Sequence, residues 1–106
     1  MTDPFYLSKR WQRLRRSALI RDGFRCQYAA RYGKRKEAEV VHHAYPREDY
    51  PEYQWCLWNL VSLSGEAHNK MHNRTTGELT EEGVALANRI GAAHGIPPVR
   101  IHNRAP

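Results

Sequence analysis

The chain has only two cysteines, Cys26 and Cys56, and neither belongs to a CxxC pair. That argues against the disulfide frameworks that staple small secreted domains, and it fits a reducing compartment. Long hydrophobic runs are missing too: no stretch approaches the ~20 apolar residues that cross a bilayer. Residues 1–6 lack the charged start and apolar run of a signal peptide, so a cytoplasmic protein with no membrane partner is expected. There is no internal repeat and no low-complexity segment. With 106 residues, the chain has room for one domain around a modest core. Its mean hydropathy of −0.80 describes a polar but foldable protein. Chains of this size often lean on a metal or a partner for stability.

Acidic residues are scarce in the first third. Residues 1–36 carry eleven Lys/Arg against Asp3 and Asp22, a balance of +9. Residues 37–106 carry six Lys/Arg against nine Asp/Glu, a balance of −3, for a total of +6. A basic half on an otherwise acidic chain is the footprint of a surface that docks on phosphates. The plainer alternative is a solvated helix face with no partner.

Periodicity predicts a helix over 8–22, with Ser8 as N-cap, Gly23 as stop, and Leu7, Trp11, Leu14 and Ala18 as its apolar stripe. Trp11 is the expected anchor, while Lys9, Arg10, Arg13, Arg16 and Arg21 cover the other faces. Residues 24–36 read as a basic, turn-rich segment containing Gly33. Strands are expected over 39–44 and 60–63, joined by a segment that begins with an acidic loop between Pro46 and Pro51. A helix from Glu66 to about Arg74 would put His68 and His72 on one face. A last helix, capped by Thr80, should cover Glu81–Ala93 with Val84, Leu86, Ile90 and Ala93 as apolar positions, and Gly95 should end it. From about residue 96 a loose tail is expected.

Four of the six histidines form two pairs, His42-His43 on the first strand and His68/His72 in an HxxxH spacing. Neighbours in a strand face opposite ways, so His42 and His43 can play different roles unless a bulge intervenes. Helical i, i+4 side chains face the same way, which suits two ligands of one ion. Three imidazoles, His42, His68 and His72, would leave open positions for water and a phosphate oxygen. His43 would then sit beside the ion, free to take a proton from water. Each pair alone is commonplace; their combination, with Asn59 nine residues before His68, is not.

On these residues the chain resembles the HNH nuclease family. The resemblance runs from Phe5-Tyr6 to Arg74, through Trp11, Leu14-Arg15 and the run Arg21-Asp22-Gly23-Phe24-Arg25-Cys26. Its signature is Val41-His42-His43-Ala44-Tyr45-Pro46, then Asn59-Leu60-Val61-Ser62-Leu63, then His68-Asn69-Lys70-Met71-His72. It looks like the small, phage-associated branch, and it is similar to colicin-type nuclease domains in its doubled first histidine and its HxxxH.

The resemblance implies an α+β fold: a small ββα-metal hairpin-and-helix core, at about 39–74, with an N-terminal basic helix and a C-terminal helix. It implies one nuclease domain over 1–106 and DNA as partner, and it extends to phage packaging proteins. His43 matches the general base. His42 and His68 match metal ligands, and His72 the third ligand where one is used. Asn59 matches the middle residue of the motif, which ties the loop and orients the base; a plain turn role is compatible with that. Lys70 and Arg74, near the metal helix, and Lys9, Arg10, Arg13 and Arg16 would contact phosphates.

There is one departure. Many members carry two CxxC pairs around a structural zinc, but here the corresponding stretches read Cys26-Gln27-Tyr28-Ala29 and Ser64-Gly65-Glu66-Ala67. With one thiol of four left, no structural zinc is expected. Burial of Tyr28, Ala29 and Ala67, or a hydrogen bond from Ser64, is the expected substitute.

The implied activity is a metal-dependent DNA endonuclease leaving 5′-phosphate and 3′-hydroxyl ends, with one divalent ion from the set zinc, nickel, manganese, cobalt or magnesium. Imidazole ligands favour the first four over magnesium. An imidazole with an ordinary pKa of ~6.5 suits proton abstraction near neutral pH. The main alternative is a catalytically inactive HNH-like DNA-binding module. A structural zinc domain with all four histidines as ligands is a second, and a shape-reading RNA binder a third.

Overall fold

Ser8 joins the two N-terminal helices in a computed structural model that describes residues 3–100. Its hydroxyl accepts the Trp11 amide at 3.1 Å and so caps helix α2 (Lys9–Arg21), satisfying a donor the first turn leaves free. The same hydroxyl donates to the Phe5 carbonyl at 2.8 Å, closing a short helix α1 (Pro4–Leu7) that hydrophobic periodicity does not separate from α2. Leu7 therefore leaves the expected stripe and is exposed. Trp11, Ala18 and Leu19 are the buried residues of α2. Gly23, at φ +63°, ends α2: its amide bonds Ile20 and the next amide, Phe24, reaches back to Leu19. That left-handed turn is the usual glycine stop.

The segment 24–36 is not merely turns. Gln27, Ala29 and Ala30 make a helix, α3 (Gln27–Arg31), whose first turn is capped by the Cys26 sulfur accepting the Ala29 amide. Strands β1 (Val40–His43) and β2 (Leu60–Leu63) pair antiparallel, with His42 opposite Val61 and His43 opposite Leu60. Asp22 anchors this hairpin to α2 by accepting the Ser62 amide at 3.0 Å, and Arg21 donates to the Leu57 and Leu60 carbonyls. Arg21 is thus a structural residue.

The helix expected over 66–74 is shorter: α4 spans only Gly65–Asn69. The chain then turns sharply because Asn73 accepts the Thr75 and Thr76 amides through its side chain, and its backbone exchanges bonds with Glu78 and Gly77. Helix α5 (Glu81–Ala92) is capped by Thr80, which accepts the Gly83 amide at 3.1 Å. Leu86 and Ala87 are its buried apolar residues, and Ala93 is exposed.

Residues 96–100 are held down rather than loose. Tyr45 donates to the Pro97 carbonyl at 2.8 Å, Asn88 accepts the Val99 amide at 2.7 Å, and Val99 is buried. The expected tail beyond residue 100 lies outside the described residues. Two packed regions sandwich the hairpin. Cys26, Ala29, Leu63, Ala67, Met71 and Leu86 fill one, while Trp11, Ala18 and Leu60 fill the other beneath α2. The result is the expected α+β arrangement, with five α-helices around a two-stranded sheet among the described residues. Among the described residues, no helix is long and apolar enough to cross a membrane.

Candidate functional site

The pleat of β1 and the hairpin register separate His42 from His43. His42 points toward α4, where its ring centroid lies 5.2 Å from those of both His68 and His72. The three offer nitrogen atoms all within 4.8 Å of one another. His68 comes from α4, as expected. His72 does not lie on that helix; it arrives from the turn beyond it, in an isolated bridge with Leu79. The HxxxH spacing predicts one helical face, and the Asn73–Gly77 turn brings the same two rings to 5.6 Å by another route.

A divalent ion fits this donor set on a specific observation. Nε2 of His42 is buried with no hydrogen-bond partner, a costly state for a polar atom unless something binds it. His72 donates from Nδ1 to the Gly77 carbonyl at 3.1 Å, which fixes the ring and leaves Nε2 free. Burial pushes the His42 pKa well below the ordinary imidazole value, with further lowering from His68, His72 and His43. Burial also lowers that of His68, with a smaller contribution from His72. Neutral imidazole is the form that ligates metal.

His43 occupies a different environment. Its ring stacks on Trp11, with centroids 5.2 Å apart and planes at 21°, and Phe5 lies 5.7 Å away. Nε2 lies 3.1 Å from the Gln54 carbonyl. A carbonyl only accepts, so Nε2 carries the proton and Nδ1 keeps its lone pair. Burial is the largest cause of a lowered His43 pKa; the Gln54 bond opposes it, and the charge of Arg47 adds to it.

Asn59 is fully buried between the strands. Its Oδ1 accepts the Tyr45 amide at 2.7 Å, and its Nδ2 donates to the carbonyls of Tyr45 at 3.1 Å and Tyr53 at 3.3 Å. One side chain thereby closes the loop that returns from β1 to β2 and carries Gln54, the residue bonded to His43.

These histidines open onto a cleft of about 760 Å³, also lined by Arg15 and Arg47. Lys9, Arg10, Arg13, Arg16, Lys70 and Arg74 are all exposed, yet none of them lines this cleft. Arg10 lies over the Trp55 ring at 4.1 Å, and Lys70 over Tyr28 at 5.5 Å. Arg15 and Arg47 are absent from the set expected on sequence grounds. The i, i+4 spacing of Arg15 from Trp11 was a usable signal, whereas Arg47 is only four residues past His43, in an irregular loop.

Behind the hairpin, Cys26, Ala29 and Ala67 join a single apolar cluster, with Tyr28 packed against it. Ser64 caps α4 by accepting the Ala67 amide at 3.1 Å. The hydroxyl thus accepts from the local backbone, and packing occupies the place where a zinc knuckle would need thiolates.

An antiparallel hairpin followed by a short helix, with histidines from both meeting above them, gives a ββα arrangement around a cluster that could hold a metal ion. No family model and no curated protein matches the chain. Among solved structures, the HNH endonuclease of the deep-sea thermophilic bacteriophage GVE2, determined with manganese ion, matches with a TM-score of 0.61. The two share 32% identity over 62% of this chain and 72% of that one. The chain belongs to the HNH endonuclease family.

Proposed function

We propose that this chain is a metal-dependent DNA endonuclease, one nuclease domain over 1–106, which hydrolyses phosphodiester bonds to leave 5′-phosphate and 3′-hydroxyl ends. The observation that carries the reading is the pairing of a buried, partnerless His42 Nε2 inside a three-imidazole cluster with His43 in the same cleft. His42, His68 and His72 would hold one divalent ion. Bound there, the ion supplies charge relief at the phosphate and at the departing 3′ oxygen.

The remaining work falls to the protein's own groups. Nδ1 of His43 accepts a proton from the attacking water, while the Gln54 carbonyl holds the other nitrogen protonated. Asn59 keeps that carbonyl in place by tying the loop to Tyr45 and Tyr53. Lys9, Arg10, Arg13, Arg16, Lys70 and Arg74 add sequence-independent attraction for the flanking backbone. The four-histidine structural zinc site is disfavoured, because His43 is engaged by Gln54 and Trp11 and stands apart from the other three. Phage packaging proteins are not proposed as partners, since no residue of the chain points to them.

The test is incubation of supercoiled plasmid with the protein and, in turn, manganese, nickel, cobalt, zinc and magnesium. Nicked or linear product bearing 5′-phosphate ends is expected with at least one ion. Tight DNA binding with no product under any ion would replace this reading by the inactive DNA-binding module.

A further inference from the structure

The cleft holds a cation whose present partner is a carboxylate. Arg47 lies in the loop four residues past β1, over the Phe5 ring at 4.2 Å and the Tyr6 ring at 5.4 Å. Its guanidinium is paired with Asp3, at the start of α1. The Asp3 pKa is lowered first by the Phe5 amide and then by Arg47, so the carboxylate is ionised at neutral pH. Two other arginines of the cleft bond the backbone: Arg15 donates to the Glu39 carbonyl and Arg100 to the Asp49 carbonyl. Arg47 holds an anion instead.

We propose that Arg47 is the residue that grips a DNA backbone phosphate inside the cleft, and that Asp3 occupies one arm of its guanidinium until substrate displaces it. Carboxylate and phosphate both match the planar guanidinium fork, so one can replace the other without moving the arginine. The two aromatic rings keep Arg47 in place during that exchange. The pair is also easy to open: the Asp3 side chain is 43% exposed and that of Arg47 25%, and ion pairs in such surroundings are weak and screened. The helix α1 is then a built-in competitor for substrate, and removing its charge should strengthen DNA binding. This inference rests on the DNA-cleaving reading for its ligand, though not for its test.

The experiment is fluorescence anisotropy of a labelled DNA duplex with the full chain in chelator, where binding is read without cleavage. Four variants are compared with the parent: Arg47→Ala, Arg47→Lys, Asp3→Asn and the double variant Asp3→Asn/Arg47→Ala. Arg47→Ala should weaken binding roughly tenfold, as loss of a charge-assisted pair does, and lower the salt slope by about one. Arg47→Lys, which keeps the charge over the rings but not the fork, should fall between. Asp3→Asn preserves the helix cap and should tighten binding. The decisive comparison is the double variant, which should bind like Arg47→Ala alone, because the two residues act on one site. Overturning results are binding by both Arg47 variants within about twofold of the parent, or an Asp3→Asn gain that persists in the double variant. Parallel plasmid assays keep the two proposals apart. A parent that cuts, with Arg47 variants that bind normally, sinks this inference alone. A parent that never cuts, with the expected binding pattern, sinks the catalytic reading alone.

Discussion

The two sides of helix α4 present opposite chemistry. Toward the cleft, His42, His68 and His72 bring nitrogen atoms together, and one buried atom is left without a partner. Toward α3, Cys26, Ala29 and Ala67 close against one another, and Ser64 is satisfied by the backbone. One side is completed only by a ligand; the other completes itself. Where many members of the family carry thiolates for a zinc knuckle, this chain packs Cys26, Ala29 and Ala67 together behind the hairpin.

The largest expected effect breaks the ligand-dependent side. Removing His68 by His68→Ala should abolish tight metal binding and reduce cleavage by at least ~10²-fold, the scale on which catalytic groups act. High metal concentration should restore part of it. Metal titration by calorimetry, paired with plasmid nicking, measures both losses. Retained tight binding would remove His68 from the ligand set.

Next comes Asn59, which ties the loop between β1 and β2. Asn59→Ala leaves the Tyr45 amide and the carbonyls of Tyr45 and Tyr53 without this partner in a buried place. A loss of about 3 kcal/mol in urea unfolding is expected, since unmet buried polar groups are costly. A change under ~1 kcal/mol would mean that other groups or water already satisfy them.

Gly91→Ala probes a separate packed region, where α5 meets Tyr45 beside Ala44, Ala87 and Val99. An added Cβ would lie 1.9 Å from the Tyr45 hydroxyl oxygen, so either the tyrosine or α5 must shift. The expected cost is about 1–3 kcal/mol, read as a fall in thermal midpoint, with partial rescue by Tyr45→Phe. Absence of any fall would show that α5 and Tyr45 have room between them for a methyl group.

The smallest effect sharpens the contrast from the other side. Cys26→Ala removes a buried sulfur and should cost only about 1 kcal/mol, because a small apolar group remains. Metal content should stay near one ion per chain. A second tightly held zinc, lost on this substitution, would show that the packed side still binds metal.

Much of this was legible in the residues. Ser8, Gly23 and Thr80 mark helix ends by local chemistry: Ser8 and Thr80 are the observed N-caps, and Gly23 turns left-handed just past the C-cap Asp22. Leu60-Val61-Ser62-Leu63 is short and β-prone, and β2 spans it. Other features depend on long-range partners that periodicity does not carry. Helix α3 is hidden in a basic run because its apolar side is only Ala29 and the half-buried Tyr28. The early end of α4 is set by Asn73 bonding forward to Thr75 and Thr76, so HxxxH marks a meeting of two rings but not a shared helix. Arg47 enters the cleft only because Phe5, Tyr6 and Asp3 fold back from the N-terminus. Residues 96–100 are ordered by Tyr45, Tyr50 and Asn88, all distant in sequence.

The division of labour between metal ligands and base is broken most cleanly by His43→Ala. Metal titration of this variant, run beside plasmid nicking with manganese, should give metal affinity and DNA affinity like the parent's, with cleavage reduced about 10²–10⁴-fold. Cleavage at the parent rate would contradict the assignment of His43 as base. Loss of metal binding equal to that of His68→Ala would make His43 a ligand and return the site to the closed four-histidine alternative.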